Sequence, residues 1–298
     1  MSKTRPPALV IAAHGSKSPA WVQAVEDFAE EVARSPGVAE VFASVATGYL
    51  ESASPGLAEA VERALASSPE VVVVPLFLTA STHQAEDVPG VLGLPTVPSH
   101  VRRRLVGEGV RVLRPGLPIT LQPIGDVAEI LHKNVLRRTA LEVRDRSHEA
   151  VVLVAYGSSV HHDQWENLIH DVRLRLLTDG FGGISHAYCG HVVQLSPEPT
   201  YKAILAASQQ AGVRKVHVVP LLMGPSDLQT GPITVACQAA HPKLAKQHVQ
   251  LRYQVDAILP DGDLAARVAF YALAARGVTA SALQGLSGAL ARHSIEKA

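Results

Sequence analysis

The chain has 298 residues, 47% of them apolar and 4% aromatic, with 27 basic side chains balanced by 27 acidic ones. That length suits about two domains, and a formal net charge of zero argues against a nucleic-acid footprint. No apolar run approaches the roughly 20 residues of a membrane span, and two distant cysteines, Cys189 and Cys237, argue against a disulfide framework or a Cys-x-x-Cys metal knuckle.

The N-terminus, Met1 to Pro7, leads into an apolar run without a secretory h-region, which with the cysteine usage points to a cytoplasmic protein. Leu9-Val10-Ile11-Ala12-Ala13 is a strand-length apolar run that ends at His14-Gly15-Ser16. A second run, Val71 to Leu78, is followed by Thr82-His83 and then Asp87-Val88-Pro89. Continuous apolar runs are what parallel strands buried on both faces require. The crevice beyond the carboxyl ends of such strands is where ligands bind, and imidazoles there suit Fe, Co, Ni or Zn.

In chain order, strands are expected near 8–13, 40–47, 71–78 and 110–114, and helices near 19–34, 55–67, 87–106 and 124–143. The pattern then repeats, with strands near 150–155, 184–193, 215–222 and 249–254, helices between and after them, and one more helix after Gly277. Pro55 and Pro199 sit where a first helical turn tolerates proline. Landmarks recur in order: Ala13-His14-Gly15-Ser16 is echoed by Ala155-Tyr156-Gly157-Ser158, Val74-Pro75-Leu76 by Val219-Pro220-Leu221, and Gly125-Asp126 by Gly262-Asp263. A nearly constant offset between the echoes indicates duplication of a whole domain. The expected architecture is α/β: two domains, 1–147 and 148–298, each a four-stranded parallel sheet flanked by helices and divided at the polar stretch Arg144 to Glu149.

These phrases, with Leu50-Glu51 between them, resemble the class II chelatases of tetrapyrrole biosynthesis. That family includes the sirohydrochlorin cobalto- and ferrochelatases and small nickel-inserting relatives. The match is dense over the first half and traceable over the second, as in the long duplicated forms; the stretch Thr79-Ala80-Ser81-Thr82 lacks the glycine of the family loop. The resemblance implies that His14 and His83 bind the metal, that Glu51 assists as ligand or base, and that the tetrapyrrole lies in a cleft between the halves. The activity implied is insertion of Co2+ or Fe2+ into sirohydrochlorin, in cobalamin or siroheme synthesis. The divalent metal (Co2+, Fe2+ or Ni2+) is then a substrate, and no organic cofactor, nucleic acid or membrane partner is expected of a monomer or homodimer. Two other readings are a non-catalytic carrier of metal or metallo-tetrapyrrole, and an enzyme using the same frame on another small carboxylated substrate.

Each residue also has a plainer reading. Glu51 could sit at a helix start, where the positive end of the dipole favours it. Gly15 and Ser16, with Gly157 and Ser158 in the repeat, could bind substrate carboxylates through backbone N–H groups, or form an ordinary turn and cap. His161-His162 reads as an exposed loop, Cys189 and His191 as neighbours on one strand face, Trp21 and Trp165 as core, and Arg102-Arg103-Arg104 as a solvated helix face. In the second half the ligands are replaced: His14 by Tyr156, Glu51 by Gln194 or Leu195, and His83 by the vicinity of Asp227-Leu228.

Overall fold

The apolar runs do become buried strands. A computed structural model describes residues 5–79 and 81–278. The segment carrying the helix expected after Gly277 lies outside the described residues from 279 on, as do Ala80 and the first four residues.

In chain order the elements are β1 (Ala8–Ala13), α1 (Pro19–Arg34), α2 (Val38–Val41), β2 (Ser44–Tyr49), α3 (Leu57–Ser67) and β3 (Val71–Pro75). A π-helical turn (His83–Asp87), α4 (Val88–Val91), α5 (Ser99–Gly107), β4 (Ile119–Leu121) and α6 (Ala128–Thr139) follow. The repeat contributes β5 (Glu149–Ala155), α7 (His162–Thr178), β6 (Gly183–Tyr188), α8 (Glu198–Ser208) and β7 (Lys215–Leu221). A second π-helical turn (Gln229–Ile233), α9 (Thr234–Lys246), β8 (Gln250–Tyr253) and α10 (Gly262–Ala274) complete it. The two sheets have the same order, β2-β1-β3-β4 and β6-β5-β7-β8. All pairings are parallel.

Burial of the central strands dominates the energetics. Every residue of β1 and β5 is buried, at about 1.5–3 kcal/mol for each large apolar side chain. A helix cap such as Ser18, whose hydroxyl accepts from the Trp21 amide, is worth about 1 kcal/mol. Trp21 and Trp165 pack in the core, as expected.

Several elements depart from their expected bounds. The stretch 110–114 has strand-like residues but forms no strand; its Leu113 amide bonds to Val91, and Ile119–Leu121 takes the place beside β3. The helix expected over 87–106 is broken between α4 and α5, where Pro95 and Pro98 lie in the connection. The stretch 40–47 holds the end of α2 before β2 begins. The strand expected over 184–193 stops at Tyr188, so Cys189 and His191 do not share a strand face; His191 begins a short 3-10 turn.

The contacts gather into two compact units that do not divide at residue 147. One lies within Met1–Phe77, Thr82–Gly125 and Asp261–Ala298, the other within Leu78–Ser81 and Asp126–Pro260. Each sheet is thus completed by a helix from the other half of the sequence. In the first unit α10 packs on α1 and β3, with Leu264, Val268 and Ala272 among its buried residues and Asp261 capping its first turn. In the second, α6 packs on α7 and β7. There Asn134 donates to the Ile258 carbonyl, and the half-buried Arg138 guanidinium donates to the carbonyls of Pro220, Gln254 and Asp256. Those partners hold α6 in the second unit, because the helix cannot leave without orphaning polar groups.

At the start of β5, Glu149 is buried against His217, with Oε2 2.5 Å from Nε2. Burial alone would raise the Glu149 carboxyl, but hydrogen bonds from His217, the Arg144 and Asp145 amides and Lys215 outweigh it and hold it at about 2. Burial also lowers His217. Both shifts have the same sign: the folded state takes up these protons less readily than the unfolded chain, so stability falls as pH falls. The thermal midpoint should decline below about pH 6.5 and more steeply below about pH 4.5, the ordinary His and Glu ranges. In Glu149→Gln it should be lower at neutral pH, with a flatter acid limb, in calorimetry across the series. An unchanged acid limb would show that this pair does not govern acid stability.

Candidate metal and proton site

The site is built where three loops leave the carboxyl edge of the first sheet. β1 is flanked by β2 and β3, with Ala13 opposite Tyr49 and Ala12 opposite Pro75. The pairing continues past the strand ends: the Leu50 amide bonds to the Ala13 carbonyl and the Glu51 amide to the His14 carbonyl, both at 3.0 Å. Gly15 makes this approach sterically possible. Its φ is +98°, and a Cβ there would lie 1.8 Å from the Glu51 carbonyl oxygen.

His14, Glu51 and His83 are brought together. The His14 Nε2 lies 3.2 Å from Glu51 Oε1, with the side chains 39% and 56% exposed. The His83 ring meets the His14 ring edge to face, centroids 4.6 Å apart. The His14 Nδ1 is 2.9 Å from the Gly15 carbonyl. A carbonyl only accepts, so Nδ1 is assigned the hydrogen. With Nδ1 bonded to the Gly15 carbonyl, Nε2 is the nitrogen that faces the Glu51 carboxylate, a place for a cation or a proton shared between them. His83 Nδ1 is 2.7 Å from Asp87 Oδ2 within the first π-helical turn. The bond to Asp87 raises the His83 pKa above the ordinary imidazole value. Burial alone would raise Asp87, but His83 and Arg104 hold it below the usual carboxylate range.

Among the described residues no three His, Cys, Asp or Glu side chains are gathered into a ready ligand set. The triad meets in pairs and leaves the site open. Glu51 is not at a helix start, since α3 begins at Leu57. Gly15 and Ser16 precede α1 rather than cap it; the Ser16 hydroxyl accepts from the Ser18 amide. In the repeat Gly157 has φ +82°, a Cβ there would strike Tyr188 and Val192, and Ser158 accepts from the His161 amide. Sequence reasoning read Arg104 as solvated and gave Asp87 no role. Their pairing, with Nη2 2.5 Å from Oδ1, depends on the break between α4 and α5, which only the Pro95 and Pro98 pair foretold.

The repeat carries the same frame with other side chains. Tyr156 follows β5 as His14 follows β1. The Gly190 amide bonds to the Tyr156 carbonyl as that of Glu51 bonds to His14, so Gly190 is the counterpart of Glu51. Gln194 and Leu195, expected there, lie beyond the 3-10 turn at φ +52° and +57°. The second π-helical turn opens with Gln229 where the first opens with His83. Gln229 is buried and tied to Ser226 and the Gly224 carbonyl.

Residues 8–130 match the family model described as CbiX. The sirohydrochlorin cobaltochelatase of Methanopyrus kandleri is 39% identical over 88 residues, which cover 29% of this chain and 59% of that relative. The chain thus spans less than two thirds of that relative's length. The fold is similar to SirB from Bacillus subtilis with Fe3+, at TM-score 0.64 and 18% identity, covering 91% of this chain and 95% of that one. A second likeness is to the sirohydrochlorin chelatase SirB from Bacillus subtilis subspecies spizizenii in complex with cobalt, at TM-score 0.60 and 19% identity, covering 92% and 98%.

The close approach at Gly15 yields a prediction. Gly15→Ala must displace the Glu51 peptide, so it should cost more than about 1 kcal/mol of stability and should weaken cobalt binding. Denaturant midpoints and titration with Co2+ measure both, and a variant with the native midpoint would refute the steric argument.

Proposed function

We propose that this chain, whose residues 8–130 match the family model described as CbiX, is a class II chelatase that inserts a divalent metal into sirohydrochlorin. Co2+ and Fe2+ are the metals favoured, serving cobalamin or siroheme synthesis. The observation that carries the reading is the His14 Nε2 held 3.2 Å from Glu51 Oε1, with the His83 ring edge to face against the His14 ring. Metal insertion needs a site that accepts a cation weakly and takes up protons. Two pyrrole N–H protons must leave, and the ion must shed water. Neutral imidazoles bind a divalent ion without quenching its charge. Two histidines and one carboxylate leave coordination positions open, so the ion can be passed on.

In this scheme His83, with Nδ1 committed to Asp87, offers Nε2 to the metal. His14 offers Nε2 beside Glu51, and Glu51 steadies the cation or takes a proton. The residues 1–147 then carry the chemistry, and 148–298 are a repeat that kept the frame and lost the donors, a reading supported by Tyr156, Gly190 and Gln229 at the matching positions. No helix among the described residues is long and apolar enough to cross a membrane. Cys189 and Cys237 are buried free thiols, which suits the cytoplasmic setting proposed here.

Anaerobic incubation with sirohydrochlorin and Co2+ or Fe2+, followed in the visible spectrum, tests the reading. The wild-type chain should metallate it. His83→Ala should abolish insertion, His14→Ala should leave at most a residual rate, and Glu51→Gln should slow turnover less than either. Wild-type rates in both histidine variants would overturn the proposal. The rate should also rise with pH, because a protonated His83 cannot bind metal. Since its pKa is raised, the acid limb should extend above the ordinary imidazole value of about 6.5. A rate flat from acid to neutral pH would exclude imidazole as a ligand in the slow step.

A further inference from the structure

Asp87 and Arg104 lie one and two contacts behind His83, and neither touches the metal or the tetrapyrrole in the scheme above. Asp87 is almost wholly buried, its side chain 9% exposed. Both of its oxygens are used: Oδ2 meets His83 Nδ1 at 2.7 Å, and Oδ1 meets Arg104 Nη2 at 2.5 Å. Arg104 also reaches Glu86 and Glu108, each at 3.4 Å, but those carboxylates are half exposed and more distant. A buried carboxylate is costly unless paired, so this one needs a reason.

The repeat supplies a control within the same molecule. Its π-helical turn, Gln229–Ile233, has the same length and the same place after the third strand. Where the first turn ends in Asp87, the second ends in Ile233, which is fully buried. The turn therefore forms without a carboxylate at its last position. The carboxylate occurs in the turn that opens with histidine, and an apolar residue in the turn that opens with glutamine. The break between α4 and α5 belongs to the same contrast. α9 runs unbroken from Thr234 to Lys246, whereas α5 starts afresh at Ser99 and sets Arg104 against the first turn.

We infer that Asp87 and Arg104 are positioning residues: Asp87 fixes the ring and tautomer of His83 so that Nε2 presents its lone pair to the metal, and Arg104 anchors Asp87. The inference rests on the reading of His83 as a metal ligand. With Nδ1–H donated to Asp87, the tautomer is set and the imidazole is made more basic toward a cation, as outer carboxylates do for ligating histidines. Arg104 holds the far oxygen, so the carboxylate cannot rotate away. Without the pair, the ring is free to turn and to place its hydrogen on either nitrogen.

The test uses the full chain and Co2+ alone, followed by titration calorimetry and by the visible absorption of bound cobalt. The variants are Asp87→Ile, Asp87→Asn, Arg104→Met and His83→Ala, with Asp87→Ile also combined with His83→Ala. Asp87→Ile should fold, since isoleucine occupies the matching position in the repeat; its thermal midpoint checks this. It should weaken cobalt binding by about 10–100-fold. Asp87→Asn should lose less, because an amide oxygen still accepts from Nδ1–H, and Arg104→Met should fall between wild type and Asp87→Ile. The combined variant should bind no worse than His83→Ala alone, since Asp87 acts only through that ring. In turnover, the apparent KM for cobalt should rise more than kcat falls. Equal losses from Asp87→Ile with and without His83, or wild-type binding in a folded Asp87→Ile, would overturn the inference while leaving the ligand assignment standing. Wild-type cobalt binding in His83→Ala would overturn that assignment, and the inference with it.

Discussion

The contact between Gly15 and the Glu51 peptide is the constraint on which the site depends. β1 lies between two parallel neighbours, so the chain leaving it at His14 must pass the loops that leave β2 and β3. At that crossing the Glu51 carbonyl occupies the space a Cβ on Gly15 would need. Only glycine lets the His14 and Glu51 backbones pair, and that pairing sets the two side chains 3.2 Å apart. Three polar groups meet at an edge because a buried sheet leaves them nowhere else to go.

The frame was legible wherever burial was two-sided. β1 and β5 are continuous apolar runs because both faces are covered, and their bounds followed from the residues within one position. β4 was misplaced because Val110 to Leu113 and Ile119 to Leu121 are equally strand-like, and only pairing with β3 chooses between them. His14, Glu51 and His83 were legible because phrases of known order carried them. Arg104 was not, since an arginine in a run of three looks solvated until a helix break brings it to a buried carboxylate. The exchange of α6 and α10 was hidden for a similar reason: an amphipathic helix records that it has a buried face, not which sheet it covers.

The repeat shows how far backbone and chemistry separate. Tyr156, Gly190 and Gln229 sit in the frame that His14, Glu51 and His83 occupy, with the same sheet order and the same π-helical turn. By spacing along the chain, Gln194 or Leu195 falls at the carboxylate's position. The hydrogen-bond register places Gly190 there, because pairing continues from β6 before the 3-10 turn adds length. Gln229 bonds inward to its own loop, so that position has become part of the fold.

The exchanged helices have a consequence for synthesis. The sheet that carries the two histidines and Glu51 is finished early in translation, yet the helix that covers β3 and α1 is not made until residues 262–274 have been added. Until then the face that α10 will cover stays open while the whole second sheet is produced. A ribosome-bound chain thus holds an unfinished chemical half until the second sheet has been made, which ties the order of folding to the second half's progress.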